Sequence, residues 1–218
     1  MSLDVAAGLL SCPLCHGVLD LGPHQARCVA GHTFDVARQR HLNLLGRPQP
    51  KNADTASMLL ARSRVLTGLY ADVVALVADT AAALGPRILV DAGAGTGQYL
   101  AATLDRLPHA VGIATDVSVA AARRAASAHP RLASIVADTW RGLPVVDHAA
   151  DLVLCVFAPR NAADFSRILA PGGHLVVVTP EPGHLREVRA TYGLLDLDPD
   201  KDRRLEQSLA GHFEPVTS

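Results

Sequence analysis

The sequence predicts an α/β protein built on a doubly wound, mostly parallel sheet, preceded by a small module of different character. Three observations carry this expectation. From Arg87 onward, continuous apolar runs alternate with amphipathic helical stretches, as in strands covered on both faces. The first run ends in a glycine-rich turn, Asp91-Ala92-Gly93-Ala94-Gly95-Thr96-Gly97. Residues 12–36 show no helical period and hold three of the four cysteines.

The elements follow in order. GVLDL, QARCV and HTFDV are short β-like pieces separated by Gly and Pro, and RPQPKNAD reads as a linker or exposed loop. A helix starts near Asp54 or Thr55, either of which can cap it, and carries Met58, Leu59, Val65, Leu66 and Leu69 at roughly helical spacing. A second helix is expected from Tyr70 to Leu84, stopped by Gly85-Pro86. Then RILVDAG is a strand, GQYLAATLDRL a helix, HAVGIATD a strand and SVAAARRAASA a helix. RLASIVAD and DLVLCVFAP are strands, NAADFSRIL a helix, GGHLVVVTP a strand, and a last helix runs from about His184 to Leu194.

The cysteines stand at C-x2-C-x12-C-x3-H: Cys12, Cys15, Cys28 and His32. Thiolates and an imidazole suit tetrahedral zinc, and four ligands leave no open position, so the site reads as one structural Zn2+ per chain. His16 and His24 are competitors, but His32 keeps the tight C-x3-H hook. A ribbon this small cannot bury enough surface to fold unaided, and zinc supplies on the order of 10 kcal/mol toward folding it.

The glycine loop is G-x-G-x-G. A dinucleotide fingerprint would place glycine at Gln98, and a P-loop would need G-K-[ST], which is absent. The alternate-glycine form, with Asp91 two residues ahead of Gly93, looks like an S-adenosylmethionine loop. Asp116, ending GIATD, can accept both hydroxyls of a ribose. Asp138 in VADTW stands where an acid faces the adenine amino group, with Trp140 placed to cover the ring.

Together these segments resemble one family, the large-subunit rRNA guanine-N1 methyltransferases of the RlmA type, and within it the tylosin-resistance branch. The likeness covers CPLC, CVAGHTFDVARQRHLNLL, MLLARSRVLTGLY, DAGAGTG, DVSVAAARRAASAHP, VADTWRGLP, VFAPRN, ILAPGGHLVVVTP and GHLREV. It implies a Rossmann-like class I S-adenosyl-L-methionine-dependent methyltransferase with an N-terminal zinc ribbon. The implied reaction is methyl transfer to N1 of a guanine in 23S rRNA, at the exit-tunnel hairpin nucleotide 748, contributing to macrolide (tylosin) resistance. Residues 1–46 would be a zinc-ribbon RNA-recognition module, 47–84 a linker and joining helices, and 85–218 the methyltransferase domain. The family's cofactor site adds Tyr70, Gly95, Thr96 and His184 to Asp91, Gly93, Gly97, Asp116, Asp138 and Trp140. His41 stands where the family usually has tyrosine, and Ala94-Gly95-Thr96 where relatives often have Cys-Gly-Glu. Relatives also continue past FEPVTS into the last antiparallel strands, so those strands are expected to be missing here.

Transfer to guanine N1 needs N1 aligned with the methyl group, its proton removed and charge on O6 stabilised. The loop Phe157-Ala158-Pro159-Arg160-Asn161 follows the fourth strand of the sheet, where open parallel sheets bind ligands. Phe157 would stack on an extruded base; Arg160 or Asn161 would meet its Watson–Crick edge or a phosphate. No unambiguous base stands out. Asp54 and Asp164 are carboxylates in suitable regions but also good helix caps, and Cys155 between Leu154 and Val156 reads as a core thiol. Two rival functions remain: a small-molecule methyltransferase with a zinc lid, and a non-catalytic rRNA- or ribosome-binding relative.

Net charge is only −1, yet residues 1–64 carry seven Lys/Arg against four acids. That excess either steers a polyanion to one end or is a solvated face. No apolar run approaches the ~18 residues of a membrane span, and MSLDVAAGLL lacks the basic start of a signal peptide. The expectation is a cytoplasmic protein with reduced thiols, 23S rRNA as partner, no membrane, and a homodimer left open.

Overall fold

The computed structural model describes residues 3–181, 183–187, 191, 193 and 201–216. Two sheets are present. Strands β1 (Leu19–Leu21), β2 (Gln25–Cys28) and β3 (Thr33–Asp35) form a three-stranded antiparallel ribbon in that order. The second sheet has six strands in the order β4-β7-β6-β5-β8-β9, with every pairing parallel. Its members are β4 (His41–Asn43), β5 (Ile88–Ala92), β6 (Val111–Asp116), β7 (Leu132–Val136), β8 (Ala150–Val156) and β9 (Leu169–Val178).

The apolar runs become strands because both faces are covered: every residue of β7 is buried, as are the last four of β5. One face packs Leu100 and Leu104 of helix α3 (Gln98–Arg106) over Leu89, Leu132 and Leu152. Helix α1 (Ala56–Thr67) starts at Thr55, whose side-chain oxygen accepts the Met58 N–H at 3.4 Å. The chain breaks at Gly68, turns by 78° and resumes as α2 (Ala71–Ala83), which Gly85 ends at φ +63°. Ser118 caps α4 (Val119–Ala125), and Asn161 caps α5 (Ala162–Ile168). Among the described residues no single helix is long and apolar enough to cross a membrane. The last helix expected, from His184 to Leu194, lies partly outside the described residues; His184 itself stands in a turn, and Arg186, Glu187 and Thr191 are helical.

The ribbon is not a separate body. Leu10, Leu19, Ala26, Cys12 and Cys28 share one continuous core with Ile113, Ile135, Val153 and Phe165 on the other face of the large sheet. Leu10 also forms an antiparallel bridge with Val145. The large sheet also takes in residues that precede the expected boundary at residue 46. Strand β4 belongs to the large sheet, with His41–Asn43 pairing Ser134–Val136. The reason is burial: Leu42 is fully enclosed there, which a three-stranded ribbon is too small to achieve. His41 is buried as well, and burial followed by the charge of Arg123 lowers its pKa.

Candidate active site and zinc centre

Two knuckles shape the metal site. In the first, Cys12 N–H donates to Gly17 C=O and His16 N–H to Cys12 C=O, both at 2.8 Å, with His16 at φ +59°. In the second, Gly31 takes φ +86° and its N–H donates to Cys28 C=O at 2.9 Å. The ligand atoms of Cys12, Cys15, Cys28 and His32 all lie within 4.8 Å of one another. The separations are 3.5 Å for Cys15 Sγ to Cys28 Sγ, and 3.6 and 3.4 Å from His32 Nδ1 to Cys12 Sγ and Cys28 Sγ. Tetrahedral zinc, with Zn–S of about 2.3 Å and Zn–N of about 2.0 Å, suits edges of this length. Burial opposes the Cys28 thiolate, but the Cys15 thiol and the N–H groups of His32 and Ala30 bring its pKa down to about 6, toward the ionised ligand form. His16 and His24 are not in the cluster.

The second site lies where the strand order reverses, between β5 and its neighbours β6 and β8. The N–H groups of Gly93 and Ala94 both donate to Thr115 C=O at 2.9 Å, holding the loop against β6. Gly93 is at φ +77°, and a Cβ there would sit 2.5 Å from Ala158 Cβ. Gly93→Ala is therefore expected to push the 157–161 loop away and cost at least ~2 kcal/mol of stability. Denaturant unfolding checks this; an unchanged midpoint would refute the packing argument.

Asp116 is held by two backbone donors, Gly95 N–H to Oδ2 at 2.9 Å and Ser118 N–H to Oδ1 at 2.8 Å. Burial raises its pKa, and the two amides oppose that. Asp91 is 1% exposed, and its Oδ2 has no hydrogen-bond partner among the described residues. Burial first, and then the charge of Asp116, pushes its pKa up to about 7. The buried Tyr99 hydroxyl, also unpartnered, is raised to about 12 by burial, then by Tyr70 and Asp91. An orphaned carboxylate oxygen and phenol behind a glycine loop are groups that a polar, cationic ligand such as S-adenosylmethionine would satisfy. Thr96 Oγ1 donates to Gln98 Oε1 at 3.2 Å, and Gly97, at φ +79°, opens α3.

Three distant segments meet beside this loop. The Tyr70 hydroxyl lies 2.6 Å from His184 Nε2. The Phe157 ring stacks on His184 with centroids 6.4 Å apart and stands edge-on to Tyr70 at 6.2 Å. Phe157 sits at φ +52°, just past the end of β8. Below it, Cys155 is buried, its thiol donates to Ala158 and Pro159 carbonyls, and burial raises its pKa to about 12. It is a core thiol, as expected. The Arg160 guanidinium has no hydrogen-bond or ion-pair partner among the described residues.

Two of the candidate contact residues have partners within the protein. For Asn161, Oδ1 accepts the Asp164 N–H, and Nδ2 donates to Thr139 C=O at 3.0 Å. The N-terminus of α5 needs a cap, and asparagine supplies it. The Asp138 carboxylate accepts the Trp140 N–H at 3.1 Å and pairs with Arg47 from the linker, while Trp140 is 67% exposed and stands at the rim. Sequence reasoning missed Tyr99 and Arg47. Tyr99 sits inside GQYL with no spacing signal, and Arg47 reaches its partner only through the fold.

The glycine loop at the switch point, the acid ending β6 and the zinc ribbon define a class I S-adenosylmethionine-dependent methyltransferase carrying a structural zinc centre. A methyltransferase-domain profile matches residues 89–173, and a profile described as "RlmA, N-terminal", a zinc ribbon, matches residues 10–52. A solved structure from Methanococcus maripaludis, described as an S-adenosyl-L-methionine-dependent methyltransferase, superposes with TM-score 0.58 at 18% identity, covering 75% of this chain and 87% of that one. The 23S rRNA (guanine(748)-N(1))-methyltransferase of Streptomyces fradiae is 48% identical over 95% of this chain and 76% of its own length. A Micromonospora griseorubida protein named for 23S rRNA guanine-N(1) methylation is 46% identical over 95% of this chain and 77% of its own. The chain belongs to the 23S rRNA (guanine-N1)-methyltransferase family.

Proposed function

We propose that this protein transfers a methyl group from S-adenosylmethionine to N1 of guanine 748 in 23S rRNA. The observation that carries the reading is the 48% identity to the Streptomyces fradiae enzyme of that name, extending over 95% of this chain and so through both ribbon and crevice. The cofactor supplies a methyl group already activated on a sulfonium. Asp91, Gly93, Gly95, Thr96, Gly97 and Asp116 would hold it, with Asp138 and Trp140 toward the adenine and Tyr70 and His184 completing the site. Phe157 stacks on the extruded guanine, and Arg160, a free cation at the loop, stabilises charge building on O6. With the cofactor bound, its methyl group would go to N1 as the S–C bond breaks and the neutral thioether leaves, and the N1 proton would pass to solvent. Asn161 acts indirectly, by fixing the loop and α5.

The test uses the purified protein, labelled S-adenosylmethionine and the 23S rRNA hairpin containing nucleotide 748. Label on N1 of that guanine, read as a reverse-transcription stop and lost when the guanine is replaced, is the expected result. Label appearing instead in a small-molecule extract, or on another nucleotide, overturns it. Expression in a susceptible host lacking this modification should raise tylosin tolerance if the reaction serves resistance.

A further inference from the structure

A cleft of about 770 Å³ lies between the zinc ribbon and the large sheet, outside the methyl-transfer site. One wall is the zinc knuckle and hairpin, through Leu14 and Phe34; the other is Pro144 and Val146. Leu14 is 63% exposed although the metal ligands on either side of it in the chain anchor its backbone. Arg167 is no ligand group, because its guanidinium is spent on Asp164, Asp147 and the carbonyls of Leu143 and Val145. Arg141 is different: it lines the same cleft, and its side chain has no hydrogen-bond or ion-pair partner among the described residues. Asp138 also lines it, so the cleft is continuous with the adenine end of the cofactor site.

We infer that this cleft is a second nucleotide pocket, which takes an unpaired nucleotide of the substrate RNA near the methylated guanine. Its apolar walls offer sequence-tolerant surfaces for a base, the unpaired Arg141 a contact for the adjoining phosphate, and the volume suits a ligand of nucleotide size. The acids that line the cleft are paired within the protein, Asp138 with Arg47 and both Asp147 and Asp164 with Arg167, which leaves the Arg141 guanidinium to meet a phosphate. The inference rests on the rRNA reading, and it explains why a structural zinc is retained so close to the cofactor. Zinc fixes a wall of the pocket.

The experiment measures methylation kinetics and anisotropy binding of the 23S rRNA hairpin with wild type, Arg141→Ala and Leu14→Ala. Zinc content, circular dichroism and cofactor affinity are monitored as folding controls. Both variants are expected to raise KM for the hairpin about tenfold with kcat retained, and Arg141→Ala to lower the salt slope of binding by about one. Replacing unpaired nucleotides that flank the target by abasic sites should weaken wild type and Arg141→Ala, and have a smaller effect on Leu14→Ala, whose base-facing wall is already reduced. Wild-type KM and salt slope in both variants overturn the pocket, as does an equal loss of affinity for a fully paired duplex. If wild type itself transfers no methyl group to the hairpin, the proposed function has failed; if it does while the variants behave like it, only the pocket has.

Discussion

Removing zinc, by chelation or by Cys28→Ser, is expected to unfold more than the N-terminal ribbon. Structural zinc of this ligand set contributes about 10 kcal/mol, comparable to the whole stability of a typical domain. In an independent ribbon that loss would stay local. Here Leu10, Leu19 and Ala26 pack directly with Ile135, Val153 and Phe165, and β4 leads from the ribbon into the large sheet beside β7. Apo protein is therefore expected to lose amide protection in β7 and β8 as well as in β1–β3, and to melt at a temperature lowered by ten degrees or more. Hydrogen exchange with and without chelator checks this. Full protection of β7 and β8 in apo protein would show that the shared core does not couple the two units.

Asp91→Asn is expected to stabilise the unliganded protein at pH 8 while weakening cofactor binding. The carboxyl titrates near 3.8 when unfolded and at about 7 when folded, because burial and then Asp116 disfavour its charge. A folded pKa above the unfolded one means that the native state holds the extra proton. Stability from this group is thus greatest at low pH, declines as pH rises from about 4 to about 7, and is lowest above that window, by roughly 4 kcal/mol. Asparagine removes the charge and with it that penalty. A cationic ligand favours the ionised form, so wild-type affinity for S-adenosylmethionine should rise between pH 6 and 8, whereas the variant's should stay flat and weaker. Thermal shift at the two pH values, with and without cofactor, measures both. A less stable variant at pH 8, or one keeping the pH-dependent affinity, would contradict the assignment of Asp91 as a destabilised, ligand-awaiting carboxylate.

What could be read from the chain was local in origin. The ligands Cys12, Cys15, Cys28 and His32 lie within one short stretch, and each pair sits on its own tight turn, so spacing alone conveyed the geometry. The loop from Asp91 to Gly97 was legible for the same reason, since Gly93, Gly95 and Gly97 all take positive φ within a single strand-to-helix turn. Asn161 shows the limit. The loop after β8 is the right place for a ligand group, yet the adjacent helix start draws on the same side chain, whose Oδ1 accepts the Asp164 N–H, and spacing alone does not separate the two roles.

The amino-acid sequence by itself determined the zinc ligands, the glycine loop, the alternation of strands and helices and, through its motifs, the family. Periodicity and close spacing are properties of neighbours in the chain, and they survive without knowledge of the fold. Only the tertiary structure decided that residues 41–43 join the large sheet, that ribbon and sheet share a core, and that Arg47 holds Asp138. It alone brought Tyr70, Phe157 and His184 into one aromatic cluster beside the cofactor loop. Those contacts depend on which strand edge is left unpaired and which apolar face is left uncovered once the sheet has formed, and no local pattern encodes either.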